Sequence, residues 1–290
     1  MISTDRHGFS GRTYEDDDEL DDDEWAEDIG SSGLVVGETI TSCRGVRIIF
    51  ESEYSNFIPQ SSVVPKHIRS AVFCTDKHSS VCSNAFISCL TMVEIGSIRG
   101  VVTDKSNANT TYATLFYSEE NSLLLVVTGA VPDGSLVSFA QLFEVFTFSL
   151  LIVLGNVDVT KRHQCDPVDD QRLYRVRSTQ LNKLPSNSLH LEGIEAIDLG
   201  SIGVDLEVGT LVTGLSAALF NFAELRSCAA MLLLTPSRVF MSVASMRVFE
   251  QALPLFKILT GGRYANPTQR DYQSQLRQDP YVFKTENLYC

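Results

Sequence analysis

Four soft metal ligands recur at short intervals in the first third of the chain. Cys74, His78 and Cys82 follow one another every four residues, and Cys89 comes seven residues later. On a helix this spacing would bring three of them to one face, where thiolates and an imidazole could bind zinc. However, Cys74 ends a run of β-branched and aromatic residues that favours a strand, and no second closely spaced pair follows. We therefore interpret these cysteines as free thiols of the core and expect no metal.

Nucleophilic catalysis is the second chemistry that the residue types could support. Ser216 lies in GLSAA at 214–218, which has the first glycine and the serine of the G-x-S-x-G hydrolase turn but lacks its closing glycine. That class of enzyme needs a histidine after the serine, and no histidine follows His190. The chain also contains no G-x-G-x-x-G and no P-loop. We therefore predict no catalytic residue, no cofactor, and a protein that is not an enzyme.

Charge is distributed unevenly along the chain. The formal net charge is −13, but residues 1–33 contain twelve acids and two arginines and so carry −10 of it. The remainder is almost neutral and has no basic patch, so nucleic acid is not an expected partner. Dense like charge with few apolar residues predicts a disordered acidic tail at 1–33. Trp25, the single tryptophan, lies inside this run, where it is either part of a solubilising extension or a small docking anchor.

Cysteine usage and hydropathy limit the compartment. The seven cysteines are odd in number and include no C-x-x-C pair, and the N-terminus lacks the apolar segment of a signal peptide. We expect a reducing environment, in the cytoplasm and also in the nucleus. Residues 135–155 imitate a membrane span in length, but Gln141 and Glu144 lie in the middle of them. No membrane association is predicted.

The periodicity of apolar residues predicts the elements that carry these groups. Apolar runs at 123–131, 150–155 and 229–237 indicate buried central strands, and apolar residues at helical spacing occur at 135–148 and 215–227. Strands and helices therefore alternate along the chain. This order predicts an α/β fold, a single sandwich domain with a central, largely parallel sheet flanked by helices.

Composition sets the expected domain boundaries. We place the folded domain at 34–262, with an irregular polar insertion at 160–192 and a helix at 245–259 that contains Pro254. After Gly262 the chain becomes polar and rich in glutamine. This change predicts a flexible C-terminal arm at 263–290.

Two stretches and the last three residues resemble one family, proteasome assembly chaperone 1. Residues 209–259, where a helix rich in small residues (GLSAALFNFAEL) leads into a very apolar strand (AMLLLTPS), are similar to the C-terminal half of that family. Residues 115–157 resemble its central strand, helix and strand, and the acidic N-terminal extension is also similar. Members end in a hydrophobic–tyrosine–any (HbYX) tripeptide, which Leu288, Tyr289 and Cys290 match.

The resemblance implies a role in proteasome assembly. It implies a heterodimer with proteasome assembly chaperone 2 on the outer face of the 20S proteasome α-ring, where it promotes assembly and blocks off-pathway ring pairing and premature binding of regulators. The C-terminal tail would enter a pocket between neighbouring α subunits, by analogy the pocket between the fifth and sixth. Leu288 would be buried there, Tyr289 would add an aromatic ring with a hydroxyl, and the Cys290 carboxylate would pair with a lysine.

Two other functions are weighed against this one. An α/β enzyme of nucleoside-processing type would have its site at the carboxyl ends of the strands. A regulator of the mature proteasome would use the same HbYX tripeptide to open the gate. The lack of a catalytic set counts against the enzyme, and the lack of internal repeats and heptads counts against a ring or solenoid regulator.

Overall fold

A ten-stranded sheet forms the centre of the described part of the protein. The structure, a computed structural model, describes residues 40–43, 46–54, 57, 65–100, 110–158, 171–183, 188–189, 197–198, 202–237 and 243–277. The predicted acidic tail at 1–33 and the tripeptide at 288–290 lie outside these residues. All described residues belong to one compact unit, Gly37–Cys290.

Ten of the twelve described strands belong to this sheet. The strands are β1 (Ile40–Cys43), β2 (Val46–Phe50), β3 (Lys66–Cys74), β4 (Val93–Gly100), β5 (Thr111–Ser118), β6 (Leu123–Thr128), β7 (Phe146–Asp158), β8 (Tyr174–Arg177), β9 (Ser188–Leu189), β10 (Ile197–Asp198), β11 (Val204–Asp205) and β12 (Ala230–Ser237). The sheet order is β1-β2-β4-β5-β6-β3-β7-β12-β8-β11, and β9 pairs with β10 separately.

The centre of the sheet is parallel and its flank is antiparallel. In the order of the sheet, β6, β3, β7 and β12 are parallel neighbours. On the flank, each of β1, β2, β4, β5 and β6 is antiparallel to the next strand in that order. Three of the four parallel strands, β6, β7 and β12, coincide with the apolar runs of the sequence, because strands covered on both faces need apolar side chains on both. On the other side, β8 is antiparallel to β12 and parallel to β11.

Helices cover both faces of the parallel strands. The helices are α1 (Ser80–Cys89), α2 (Leu136–Gln141), α3 (Thr179–Asn182), α4 (Gly214–Leu225), α5 (Val243–Arg247), α6 (Leu253–Leu259) and α7 (Gln269–Arg277). One core contains Phe139 and Phe143 of the α2 region with Phe222 of α4, and the other contains Phe86 of α1 with Phe256 of α6. The predicted α/β sandwich with a central parallel sheet flanked by helices is confirmed.

Two predicted helices are shorter in the structure than the apolar periodicity suggested. The helix expected at 135–148 ends at Gln141, continues as a 3-10 turn at Leu142–Val145, and gives way to β7 at Phe146, which pairs with Lys66. The helix expected at 245–259 divides into α5, a 3-10 turn at Val248–Ala252, and α6. Pro254 lies in the first turn of α6, where backbone N–H groups have no acceptor within the helix, so the missing N–H of proline costs no hydrogen bond. No helix in the described ranges is long and apolar enough to cross a membrane.

Part of the predicted insertion and part of the predicted arm are ordered elements of the domain. Within 160–192, β8 pairs with β12, and the Ser178 hydroxyl caps α3 by accepting the Leu181 N–H at 3.2 Å. The polar composition predicts a flexible arm from residue 263 onward, yet Tyr264 and Tyr272 of this segment are buried in the domain. Polar composition did not reveal these segments because each is held by a few buried side chains rather than by an apolar run.

Candidate functional site

The predicted tripeptide Leu288, Tyr289 and Cys290 lies outside the described residues, but the segment leading to it is described as far as Arg277. This segment begins at a tight turn after α6, where Gly261 and Gly262 have φ angles of 59° and 83°. Glycine adopts this left-handed conformation without strain. The Gly262 N–H donates to the Lys257 carbonyl at 2.6 Å, which reverses the chain direction.

Tyr264 fastens the start of this segment to the core. Its side chain is 3% exposed, and its ring lies 4.8 Å from the Phe86 ring and 5.0 Å from the Phe256 ring, measured between centroids. Its N–H donates to the Thr260 hydroxyl at 2.9 Å. The Tyr264 hydroxyl lies near the Cys82 thiol of α1. Burial raises the pKa of Cys82 to about 12, so this thiol stays protonated.

Helix α7 fastens the end of the segment. Thr268 and Asp271 cap its first turn reciprocally, because the Asp271 carboxylate accepts the Thr268 N–H at 2.6 Å and the Asp271 N–H donates to the Thr268 hydroxyl at 3.4 Å. These hydrogen bonds hold the pKa of Asp271 below its ordinary value. Tyr272 packs between Val81 of α1 and Met246 of α5. The Tyr272 hydroxyl donates to Glu250 at 3.0 Å.

This anchoring fixes the position of Arg277, the last described residue, on the domain. Both α1 and α5 begin just after the carboxyl ends of parallel strands, so α7 lies at that edge of the sheet. The 13 residues after Arg277 can span at most about 45 Å when fully extended. The polar composition of this segment does not predict α7. A Thr-x-x-Asp cap followed by Tyr272 and Leu276 four residues apart is nevertheless a helix signal.

A partly buried hydroxyl pair lies just after the carboxyl end of β3, against β7. The Thr75 hydroxyl donates to the Leu154 carbonyl at 2.9 Å and lies 2.6 Å from the Ser216 hydroxyl. Gly155 makes the approach possible, because a Cβ at that position would collide with both oxygens. Ser216, considered above as a nucleophile, is therefore hydrogen-bonded to a second hydroxyl. Among the described residues no imidazole is hydrogen-bonded to it.

Asp76 and His78 form a second polar group at this edge. One Asp76 carboxyl oxygen accepts the Ser79 N–H at 2.8 Å, and the Ser79 hydroxyl donates to the Asp76 carbonyl at 2.8 Å. Burial raises the pKa of Asp76, and the charge of nearby His78 opposes that rise. The second carboxyl oxygen, Oδ2, is buried, as are His78 Nε2 and Thr235 Oγ1 of β12, and none of the three has a hydrogen-bond partner among the described residues.

The four residues considered above as metal ligands separate into different elements. Cys74 ends β3, His78 lies in the following turn, and Cys82 and Cys89 belong to α1. Cys74 and Cys82 are buried free thiols, as the sequence predicted, and burial raises the pKa of both. Within the ranges that the structure describes, no three His, Cys, Asp or Glu side chains converge closely enough to hold a metal ion.

Solved structures of two archaeal proteins are similar to this fold. PbaB of Pyrococcus furiosus, described as an archaeal proteasome activator, has a TM-score of 0.51 and 12% identity over 84% of this chain and 100% of that chain. PbaA of Pyrococcus furiosus, described as an archaeal homolog of proteasome-assembly chaperone, has a TM-score of 0.50 and 13% identity over 77% of this chain and 98% of that chain. At these identities the likeness shows a shared fold.

More distant structures include an enzyme. The 5'-methylthioadenosine/S-adenosyl homocysteine nucleosidase of Campylobacter jejuni has a TM-score of 0.33 and 9% identity over 67% of this chain and 99% of that chain. This likeness is too low to bear on function. No protein-family model matches the chain, and no curated protein matches it at a significant level.

Proposed function

We propose that this protein is a proteasome assembly chaperone that works by binding other polypeptides. It forms a heterodimer with proteasome assembly chaperone 2 on the outer face of the 20S proteasome α-ring. There it promotes ring assembly and blocks off-pathway ring pairing and premature binding of regulators. It acts in the cytoplasm and also in the nucleus.

The fold likeness to PbaB and PbaA carries this proposal. Both archaeal proteins are matched over nearly their whole length, and their descriptions name a proteasome activator and a homolog of a proteasome-assembly chaperone. Neither is described as an enzyme. Among the residues that the structure describes, burial keeps the thiols of Cys74 and Cys82 protonated, and the Ser216 hydroxyl is bonded to that of Thr75 rather than to an imidazole.

The binding element in this proposal is the tripeptide Leu288, Tyr289 and Cys290. In an inter-subunit pocket of the α-ring, by analogy between the fifth and sixth subunits, burial of Leu288 contributes about 1.5–3 kcal/mol before ordering costs. The Tyr289 ring adds apolar area and a hydroxyl, and the Cys290 carboxylate pairs with a lysine. A three-residue contact is weak alone, so the anchored segment at 263–277 and a second tail from the partner raise its effective concentration.

Three variants of the tail test the proposal. Deletion of Cys290, addition of one residue after it, or Tyr289→Ala is expected to reduce co-purification of 20S α subunits about tenfold or more, because each removes a contact of roughly 1.4 kcal/mol or more. Proteasome assembly chaperone 2 should remain bound in all three variants. The readout is quantitative mass spectrometry of proteins retained by the full-length chain. Unchanged recovery of α subunits in all three variants would show that the tripeptide isn't the binding element.

One comparison favours a second candidate function. PbaB is described as a proteasome activator, which matches an HbYX-bearing regulator of the mature proteasome. A regulator should increase peptide hydrolysis by purified mature 20S proteasome, whereas an assembly chaperone should leave it unchanged and accumulate with unfinished α-rings. Peptidase assays with the added full-length protein separate the two functions.

A further inference from the structure

A groove beside the amino end of β3 takes no part in the proposed function. It encloses about 720 Å³, within the roughly 300–1,000 Å³ of typical ligand pockets. Its walls include the aromatic side chains Tyr54, Phe57 and Tyr117 and the aliphatic side chains Val93 and Ile95, and its cation is Lys66. We call it the Lys66 groove.

The aromatic wall of the Lys66 groove is held in place before any ligand arrives. Phe57 is 9% exposed, and its ring lies edge-on to Tyr117 with 4.8 Å between centroids. Phe50 and Phe146 pack against it from the core at 6.0 and 6.3 Å. A preformed apolar wall lowers the ordering cost of binding.

Tyr117 also positions an exposed apolar residue. In the β4–β5 register it lies directly opposite Val93, which remains 42% exposed. Residues directly opposite in an antiparallel pair have side chains on the same face, so Val93 and Tyr117 form one continuous apolar strip.

Lys66 places a cation over this strip. Its Nζ lies 3.2 Å from the centroid of the Phe57 ring and 5.4 Å from that of Tyr117. Burial lowers the pKa of Lys66, and the charge of Glu119 opposes that decrease. Cation–π contacts offset part of the lost hydration of the ammonium group but do not neutralise its charge.

Among the described residues, the carboxylates around the groove lie outside ion-pair distance of Lys66. Glu120 lines the same groove but is paired with Arg263 at 2.9 Å. No described carboxylate lies within 4.0 Å of Lys66 Nζ. The groove therefore offers a partly desolvated cation beside apolar walls, a combination that favours a carboxylate attached to an apolar group.

We propose that the Lys66 groove binds the chain-terminal carboxylate of a partner polypeptide whose last residue is apolar or aromatic. A chain terminus fits this arrangement because its carboxylate and its last side chain are attached to the same Cα. The carboxylate can therefore contact Lys66 while the side chain contacts the neighbouring Tyr117 ring. If the carboxylate belonged to a glutamate or aspartate within a partner chain, the apolar side chain would have to come from a different residue. Glu119 repels additional negative charge, so the groove selects a single carboxylate over an acidic peptide.

Titration of the full-length protein with a minimal probe tests this site. The probe is acetyl-leucyl-phenylalanine with a free carboxylate, and its control is the same dipeptide with an amide terminus. Isothermal titration should show about tenfold or more tighter binding of the acid, the ratio expected for one charge-assisted hydrogen bond. Lys66→Met should remove this preference, whereas Glu119→Gln should strengthen binding of the acid because it removes a repulsive charge. Lys257→Met, a change at an exposed lysine of α6, should have no effect.

Several results would overturn the proposal. Equal binding of acid and amide would mean that only the apolar wall is used, and an unchanged preference in Lys66→Met would place the carboxylate elsewhere. Binding that appears only after residues 278–290 are deleted would identify the occupant as the chain's own terminus rather than a partner. If Lys66→Met does not fold, an unchanged acid affinity in Glu119→Gln would still contradict the proposal. Absence of binding at millimolar probe would do so as well.

Discussion

Asp76 is the residue whose burial has the clearest consequence for stability. Burial raises its pKa in the folded state above the ordinary value of 3.8, so the folded protein holds that proton more tightly than the unfolded chain does. Ionisation of Asp76 therefore lowers the free energy of unfolding at pH values above the folded pKa. This cost disappears as the pH falls to the unfolded value.

We expect Asp76→Asn to raise the free energy of unfolding at pH 7. The amide oxygen can still accept the Ser79 N–H, while the buried charge is removed. The gain over the natural chain should shrink as the pH is lowered toward 4, because the carboxyl group of Asp76 becomes protonated there. Urea unfolding followed by circular dichroism at several pH values measures both effects.

Asp271→Asn provides a control with the opposite sign. Hydrogen bonds from Thr268 lower the pKa of Asp271, so its ionised form stabilises α7 above the unfolded pKa and this contribution is lost in acid. The variant should therefore lose stability at pH 7. If Asp76→Asn also lost stability at pH 7, the charge of Asp76 would be stabilising and our interpretation of its burial would be wrong.

At the residue scale, sequence patterns describe types of chemistry but not the contacts of a side chain. The missing glycine after Ser216 and the lack of a later histidine argue against a nucleophile, and in the structure the Ser216 hydroxyl is bonded to that of Thr75. The contact between Thr75 and Ser216 joins residues 141 positions apart. It depends on the register of β3 on β7 and on the lack of a side chain at Gly155, which no local pattern reveals.

Helix α7 illustrates the same limit at the scale of an element. Its residues are mostly polar, so composition predicted a flexible arm from residue 263 onward. The element instead depends on one reciprocal cap and on the packing of Tyr272 against α1 and α5. Pro254, in contrast, is a local signal. It lies inside one predicted helix, and in the structure it marks the start of the separate helix α6.

Tyr272→Ala is expected to release α7 while the rest of the domain stays folded. Truncation of a buried aromatic residue costs about 3 kcal/mol, and α7 has only one fully buried side chain to hold it. Hydrogen exchange of residues 263–277, followed by mass spectrometry, should become much faster, with the central strands unchanged. Tyr272→Phe removes only the bond to Glu250 and should cost about 1 kcal/mol. Equal protection of α7 in the alanine variant would contradict its role as the anchor.

The whole molecule was the easiest scale to predict. Apolar runs at β6, β7 and β12 and the helices between them specified an α/β sandwich, because parallel strands covered on both faces leave a strong sequence pattern. The antiparallel pairing of the flank β1-β2-β4-β5 was not predicted, because it depends on contacts between strands rather than on the pattern within one. The short edge strands β1 and β11 have weak sequence patterns. The HbYX tripeptide was recognised from sequence alone and remains a prediction.

The proposed binding of the tripeptide makes a quantitative prediction about the whole molecule. If α7 fixes the domain end of the tail, the tether to the pocket is the 13 residues after Arg277. Insertion of a flexible Gly/Ser segment of the same length after Arg277 doubles the tether. Effective concentration falls roughly as the −3/2 power of tether length, so recovery of α subunits should fall only about threefold.

The size of that decrease distinguishes a tripeptide on a flexible tether from a tail that makes contacts along its whole length. Tyr289→Ala in the same inserted chain should reduce recovery by a further tenfold or so, because the pocket contact itself is lost. A chain with both the insertion and Tyr272→Ala should lose only about a further twofold, because release of α7 frees residues 265–277 and lengthens the tether by about half. If the insertion abolished recovery as completely as deletion of Cys290, residues 278–287 would have to make fixed contacts of their own, and the tripeptide would not be an independent binding element.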